Sequence, residues 1–116
     1  MTIRYKNQGY KQSGTTKTTV FTCPSDATAI VKSVYCANND ASSAILVNMN
    51  FVDSSDSSTE YEFFRDDLAA KEQVNATPQG LNLEAGDAIT VQAATGSSKI
   101  QGLISYALID RRNENG

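Results

Sequence analysis

Apolar and polar side chains alternate without a break through AILVNMNFV, so that Ile45, Val47, Met49 and Phe51 fall on one side and Leu46, Asn48, Asn50 and Val52 on the other. A period of two sustained over this length predicts a half-buried strand. Upstream, TTVFTC and TAIVKSVYCA are rich in β-branched and aromatic residues and are parted by Pro24-Ser25-Asp26. That pattern predicts a hairpin of strands over 18–23 and 28–37. Short polar side chains compete for backbone hydrogen bonds, so the runs 38–43 and 53–58 read as loops. A fourth strand then carries Tyr61 and Phe63 inward among Glu60, Glu62 and Phe64, with Phe64 the exposed exception.

Residues 66–73 hold the only cluster of helix formers, enough for one turn, and 73–77 could equally form a short edge strand before Pro78-Gln79-Gly80 breaks the chain. Leu81-Asn82-Leu83, the tight Glu84-Ala85-Gly86-Asp87 turn and AITVQA then predict a second hairpin. After a loop over 94–98 comes KIQGLISYALID, with Ile100, Ile104, Tyr106 and Leu108 on one face. Leu103, Ala107 and Ile109 make its other face too apolar for open solvent and point to an oligomer contact. Seven to eight short strands with turns every eight to twelve residues predict an all-β antiparallel sandwich, jelly-roll or immunoglobulin-like, and exclude helix-based folds.

A chain of 116 residues supports one core. Its charge is unevenly placed. Residues 1–17 carry Arg4, Lys6, Lys11 and Lys17 and no acid, while 18–116 set six basic residues against thirteen acids, most of them between Asp40 and Asp87. The division expected is a basic N-terminal arm over 1–17 that orders only against a neighbour, a sandwich over 18–112 and a tail over 113–116. Arg4, Tyr5, Lys6, Tyr10, Lys11 and Lys17 are the candidate partner-binding residues, because Tyr and Arg make low-entropy anchors at protein contacts. A solubilising extension would have the same composition. The net charge of −3 argues against a nucleic-acid partner.

Histidine is absent, which removes the commonest general base and the commonest metal ligand. Cys23 and Cys36, placed far apart along the expected hairpin, are read as thiols, in keeping with assembly inside a cell. Glu60, Glu62, Asp66 and Asp67 could supply a carboxylate pair, but a solvated acidic face accounts for them better. Asp53, Asp56 and Glu60 lack the spacing of a calcium loop, and the glycines are scattered singly, without a phosphate cradle. No enzyme activity, cofactor or metal is expected. The chain shows no apolar run of membrane-spanning length and no signal-peptide core, so no membrane partner is expected. Asn75-Ala76-Thr77 matches a glycosylation triplet by chance.

The succession YKNQGYKQSGTTKTTVFTCP, AIVKSVYCANND, LNLEAGDAITVQA and a last strand ending SYALID resembles the small virion proteins of tailed phages, especially marine and cyanobacterial ones, over most of the chain. The resemblance implies a non-enzymatic virion component, a capsid decoration or cement protein or part of a tail or fibre appendage. It would be made in the host cytoplasm and bound to other virion proteins as a homo-oligomer, with a trimer favoured. Gly86 and Asp87 match the family's hairpin motif in a structural role, Gly86 for positive φ and Asp87 for turn hydrogen bonds. The rival expectation is a host-receptor or carbohydrate-binding module displaying loops 38–43, 53–58 and 94–98.

Overall fold

The computed structural model describes residues 2–12, 14–95 and 99–110. Nine strands follow in order: β1 (Thr2–Gln12), β2 (Thr18–Thr22), β3 (Ala27–Asn38), β4 (Ile45–Asp53), β5 (Thr59–Leu68), β6 (Gln73–Asn75), β7 (Leu81–Leu83), β8 (Ala88–Ala93) and β9 (Ile100–Asp110), with a single 3-10 turn at Ser54–Asp56. They make two antiparallel sheets, β1-β9-β3-β6 with β7 also on β3, and β2-β8-β4-β5. The fold is the antiparallel β-sandwich expected.

The core forms where the two inner faces meet. Val34, Cys36 and Ile104 from the first sheet and Val47, Met49, Ile89 and Val91 from the second are fully buried. Each such side chain contributes roughly 1.5–3 kcal/mol by leaving water. The alternation in β4 is realised as read: Ile45, Val47 and Met49 are buried and Phe51 packs against the core. On β9, Ile100, Ile104, Tyr106 and Leu108 likewise face inward.

Neither expected hairpin exists. β2 pairs with β8 while β3 pairs with β9, β6 and β7, so Pro24-Ser25-Asp26 turns a corner between sheets. β7 and β8 are divided between sheets in the same way. The two corners are joined: the Cys23 amide donates to the Asp87 carbonyl at 2.8 Å and the Gly86 amide to the Cys23 carbonyl at 3.0 Å. A short turn serves a hairpin or a corner equally, and here the inward apolar faces of the flanking strands meet across the core. The hairpin argument for the cysteines therefore lapses; both are buried thiols, and Cys23 Sγ donates to the Ala27 carbonyl at 3.4 Å.

The fourth strand also departs from a simple period. A bulge lets Met49 pair with Phe64 and Asn50 with Glu62, so that Phe63 is the extra residue. Phe64 thereby lies on the Met49 face and packs on the core, while Tyr61, opposite Phe51, is half exposed. The helix formers at 66–73 finish β5 and enter a turn with Lys71 at φ 64°, and β6 follows as the short edge strand.

Most consequential is the N-terminal segment. Residues 2–12 are a strand, registered along its whole length on β9 from Thr2 opposite Asp110 to Gln12 opposite Ile100. The segment read as an arm ordered only by a neighbour is ordered by its own chain. Its pattern hid this because β1 overhangs the second sheet. Arg4, Lys6 and Gln8 share the side of Leu108, Tyr106 and Ile104, yet stay exposed. A groove of about 330 Å³, lined by Lys6, Gln8, Phe21, Thr22, Pro24 and Tyr106, runs between β1 and β2. The expected tail at 113–116 lies outside the described residues.

Candidate assembly surface

The outer face of the first sheet is built by register. Residues directly opposite in neighbouring strands share a face, so β1, β9 and β3 contribute rows of Ile3, Ile109 and Thr28; Tyr5, Ala107 and Ile30; and Gly9, Leu103 and Tyr35. Five of the seven large hydrophobic residues left exposed among those described, Ile3, Tyr5, Ile30, Tyr35 and Leu103, are on this face. Such clustering is not what scattered surface apolar residues give. Tyr5, at 74% exposure, is the most prominent, with Lys32 Nζ held 5.1 Å from its ring centroid in a cation–π contact.

The surface is dented at one end of these rows. Gly9 carries no side chain between Leu103 and the solvent edge, and a cavity of about 350 Å³ opens there, lined by Gly9, Tyr10, Tyr35, Gln101, Gly102 and Leu103. A Cβ on Gly9 would meet only the Gly102 carbonyl, at 4.0 Å. Nothing within the chain demands glycine at this position. Gly102 differs, because a Cβ there would strike the Tyr35 carbonyl and the Tyr10 ring.

Of the oligomer-contact residues expected from β9, Leu103 is exposed and Ile109 half-buried on this face, whereas Ala107 is buried between its cross-strand neighbours Tyr5 and Ile30 and offers no contact of its own. The six candidates of the basic segment are dispersed. Tyr5 lies on the apolar face, Lys6 lines the groove and Lys11 is exposed. Arg4 reaches Asp110 at 3.7 Å and Lys17 pairs with Glu60 at 2.9 Å. Tyr10 turns inward and donates from its hydroxyl to the Tyr35 carbonyl at 2.8 Å. Ile3, Gly9, Ile30 and Tyr35 were not singled out by sequence. Ile30 and Tyr35 stand five apart, which puts them on opposite faces of a regular strand; a bulge at Lys32 brings them to the same one.

At Gly86 and Asp87 the geometry is that of a locked corner. Gly86 has φ +86°, and Asp87, buried, accepts from the Ser54 amide and hydroxyl at 3.0 Å each and from the Glu84 amide at 2.9 Å.

Chemistry elsewhere is sparse. Among the described residues no group of three or more His, Cys, Asp or Glu side chains is placed to hold a metal ion. Asp53 accepts from Ser55, Asp56 from the Tyr61 hydroxyl, and Glu60 pairs with Lys17, so these carboxylates point to separate partners. Backbone amides of Ser42 and Ser43 hold the Asp40 carboxyl below its usual range. Burial pushes the Tyr10 hydroxyl and the Cys36 thiol up, and hydrogen bonding raises Tyr61 through Asp56 and Arg65 through Glu62. Each shift carries its group away from neutrality, whereas an acid–base catalyst is tuned toward it. Among the described residues no helix is long and apolar enough to cross a membrane.

The polar loops lie at two ends of the strands. Loop 39–44 lies beside Lys99, whose carbonyl accepts from the Asn39 amide, and beside Glu72, whose carbonyl accepts from the Asn38 amide. Ser54, in the 53–58 loop, bonds to Asp87 at the other end of the strands. Residues 96–98 of the third loop lie outside the described residues.

No family model matches the chain, and no curated protein matches it significantly. Solved structures share its fold. A chain from the acidic stable capsid structure of Helicobacter pylori bacteriophage KHP30 superposes with a TM-score of 0.59 at 15% identity, covering 94% of this chain and 88% of that one. A chain of the Bacillus endospore appendages, which form a family of disulfide-linked pili, gives 0.50 at 11% identity over 95% and 87%. A chain of the T13 particle of infectious bursal disease virus gives 0.53 at 7% identity over 94% of this chain and 31% of that one. The sandwich is thus of a kind found in viral capsid and appendage subunits.

Proposed function

We propose that this protein is a non-enzymatic structural subunit of a tailed-phage virion, a capsid decoration or cement protein or a tail or fibre-appendage component. In this role it self-associates and binds other virion proteins after synthesis in the host cytoplasm. The observation that carries this is the outer face of β1-β9-β3, which gathers exposed Ile3, Tyr5, Ile30, Tyr35 and Leu103, the last two lining a dent at Gly9. An apolar face of this kind is stable in water only when covered, and a sister subunit or a shell protein is the cover the fold relatives suggest. Three copies is the arrangement favoured. The basic residues of β1 would then meet an acidic or polar surface of the shell.

Mass spectrometry of purified particles, with copy number, tests the virion role directly: finding the protein in stoichiometric amount supports it, and its absence from particles overturns it. Multi-angle light scattering of the purified chain tests the surface. Leu103→Glu places a charge on the face and is expected to weaken self-association by removing the contact made through it, with an unchanged circular dichroism spectrum; association as strong as that of the unchanged chain would take the face out of the contact.

A further inference from the structure

A β-sandwich closes its faces but not its edges, and the long free edges here differ in charge. β1 pairs only with β9 and β5 only with β4 among the described residues, so each presents one unpaired row of amides and carbonyls. They are the long edges of the two sheets, 11 and 10 residues, against 5 in β2 and 3 each in β6 and β7. At about 3.4 Å per residue each edge runs on the order of 35 Å. Long exposed edges of this kind invite strand addition.

The charges decide which strand can be added. β1 carries Arg4, Lys6 and Lys11 and no acid; β5 carries Glu60, Glu62, Asp66 and Asp67 against Arg65 alone. Two β1 edges brought together would align cations with cations, and two β5 edges carboxylates with carboxylates, both destabilising. A β1 edge against a β5 edge matches a formal +3 with a formal −3; Arg4 already lies beside Asp110 and Glu60 beside Lys17, so Lys6 and Lys11 against Asp66 and Asp67 carry the match. The two lie in different sheets, so one molecule offers both without being able to satisfy itself.

We propose that a second copy of this chain adds to the β1 edge through its own β5, a head-to-tail contact in which backbone hydrogen bonds extend the sheet and charge selects the pairing. This rests on the protein being a self-assembling subunit but not on the apolar face. Two different edges meet, so the contact is heterologous, and repetition closes a ring or runs on as a filament.

The test uses the full chain carrying Leu103→Glu, so that the apolar face no longer contributes, with sedimentation velocity across a concentration series. In that background self-association is expected to persist and to weaken about tenfold or more between low and high salt. Adding Lys6→Glu with Lys11→Glu, or separately Asp66→Lys with Asp67→Lys, is expected to weaken it at least about tenfold in each case. An equimolar mixture of the two variants presents opposite edges again, and association should return to within about threefold of the unreversed protein. Circular dichroism and melting establish that each variant is folded; should one charge pair disturb folding, Lys11→Glu and Asp67→Lys singly serve the same mixing design. A monomeric Leu103→Glu protein at all concentrations, a salt-independent symmetric dimer, or a mixture no stronger than its components would overturn the edge contact. None of these would remove the protein from particles, so the virion role stands or falls separately on mass spectrometry.

Discussion

The Tyr10 hydroxyl donates to the Tyr35 carbonyl at 2.8 Å, joining β1 to β3 over the intervening β9, which carries Gly102 at the crossing. The contact exists only because Gly102 has no side chain: a Cβ there would lie 2.5 Å from the Tyr10 oxygen and would strike the Tyr35 carbonyl as well. Gly102→Ala must therefore push β1 or β3 aside, and is expected to cost about 2–3 kcal/mol by urea denaturation, in the range of overpacked cores. Tyr10→Phe removes the hydrogen bond and keeps the ring, at about 1 kcal/mol. An unchanged midpoint for Gly102→Ala would contradict the packing.

The same contact sets a pH dependence. Burial raises Tyr10 above its ordinary 10.0 and Cys36 above its ordinary 9.0, with Cys36 adding to the rise at Tyr10. Both neutral forms are favoured in the folded state, so stability is complete below the unfolded values and falls as pH rises above about 9. Denaturation series at pH 7, 9 and 10.5 should show this loss, and Tyr10→Phe should flatten its steepest part. Equal alkaline loss in both proteins would mean that Tyr10 is not the titrating group.

How far the fold could be read in the chain follows from which faces are wet. β4 and β9 declare themselves because one face is core and the period is unbroken. β1 does not, since at an overhanging edge Arg4, Lys6 and Gln8 point toward the core side and still meet water. Bulges defeat the period elsewhere: the extra residue at Phe63 turns Phe64 inward, and the one at Lys32 gathers Ile30 and Tyr35 with Leu103. The corners after Cys23 and Leu83 read as hairpins because sheet choice depends on partners distant in sequence. Leu103 and Ile109 were legible as surface; the rest of that face needed the register of three strands.

Asp87 offers a test of the corner. Its carboxylate satisfies the Ser54 amide, the Ser54 hydroxyl and the Glu84 amide, and its backbone bonds to Cys23. Asp87→Ala removes the buried acceptor of these part-buried bonds and is expected to destabilise by about 1–3 kcal/mol. Gly86→Ala, at φ +86° with Ser54 Oγ 3.0 Å from the new Cβ, should cost about 1–2 kcal/mol. Ser54→Ala, which removes only the hydroxyl, should cost less than either. Thermal melts rank the three, and a different order would relocate the lock.

Asn38 closes the opposite end. Fully buried, it donates through Nδ2 to the Ser43 carbonyl at 2.9 Å and the Leu68 carbonyl at 3.0 Å, and accepts through Oδ1 from the Asp40 amide at 2.9 Å. One side chain thus ties the end of β3 to the end of β5 in the other sheet. Asn38→Ala strands these groups and should cost about 2–3 kcal/mol. Asn38→Asp keeps the acceptor but turns an oxygen toward two carbonyls, so its buried carboxyl should prefer to be protonated. A group whose folded pKa is raised is destabilising above its unfolded value and less so below it. The deficit of Asn38→Asp relative to wild type, measured at matched pH, should therefore shrink from pH 7 toward pH 4, while that of Asn38→Ala stays level. Parallel behaviour of the two variants would show that the amide's donors are not what holds the sheets together here.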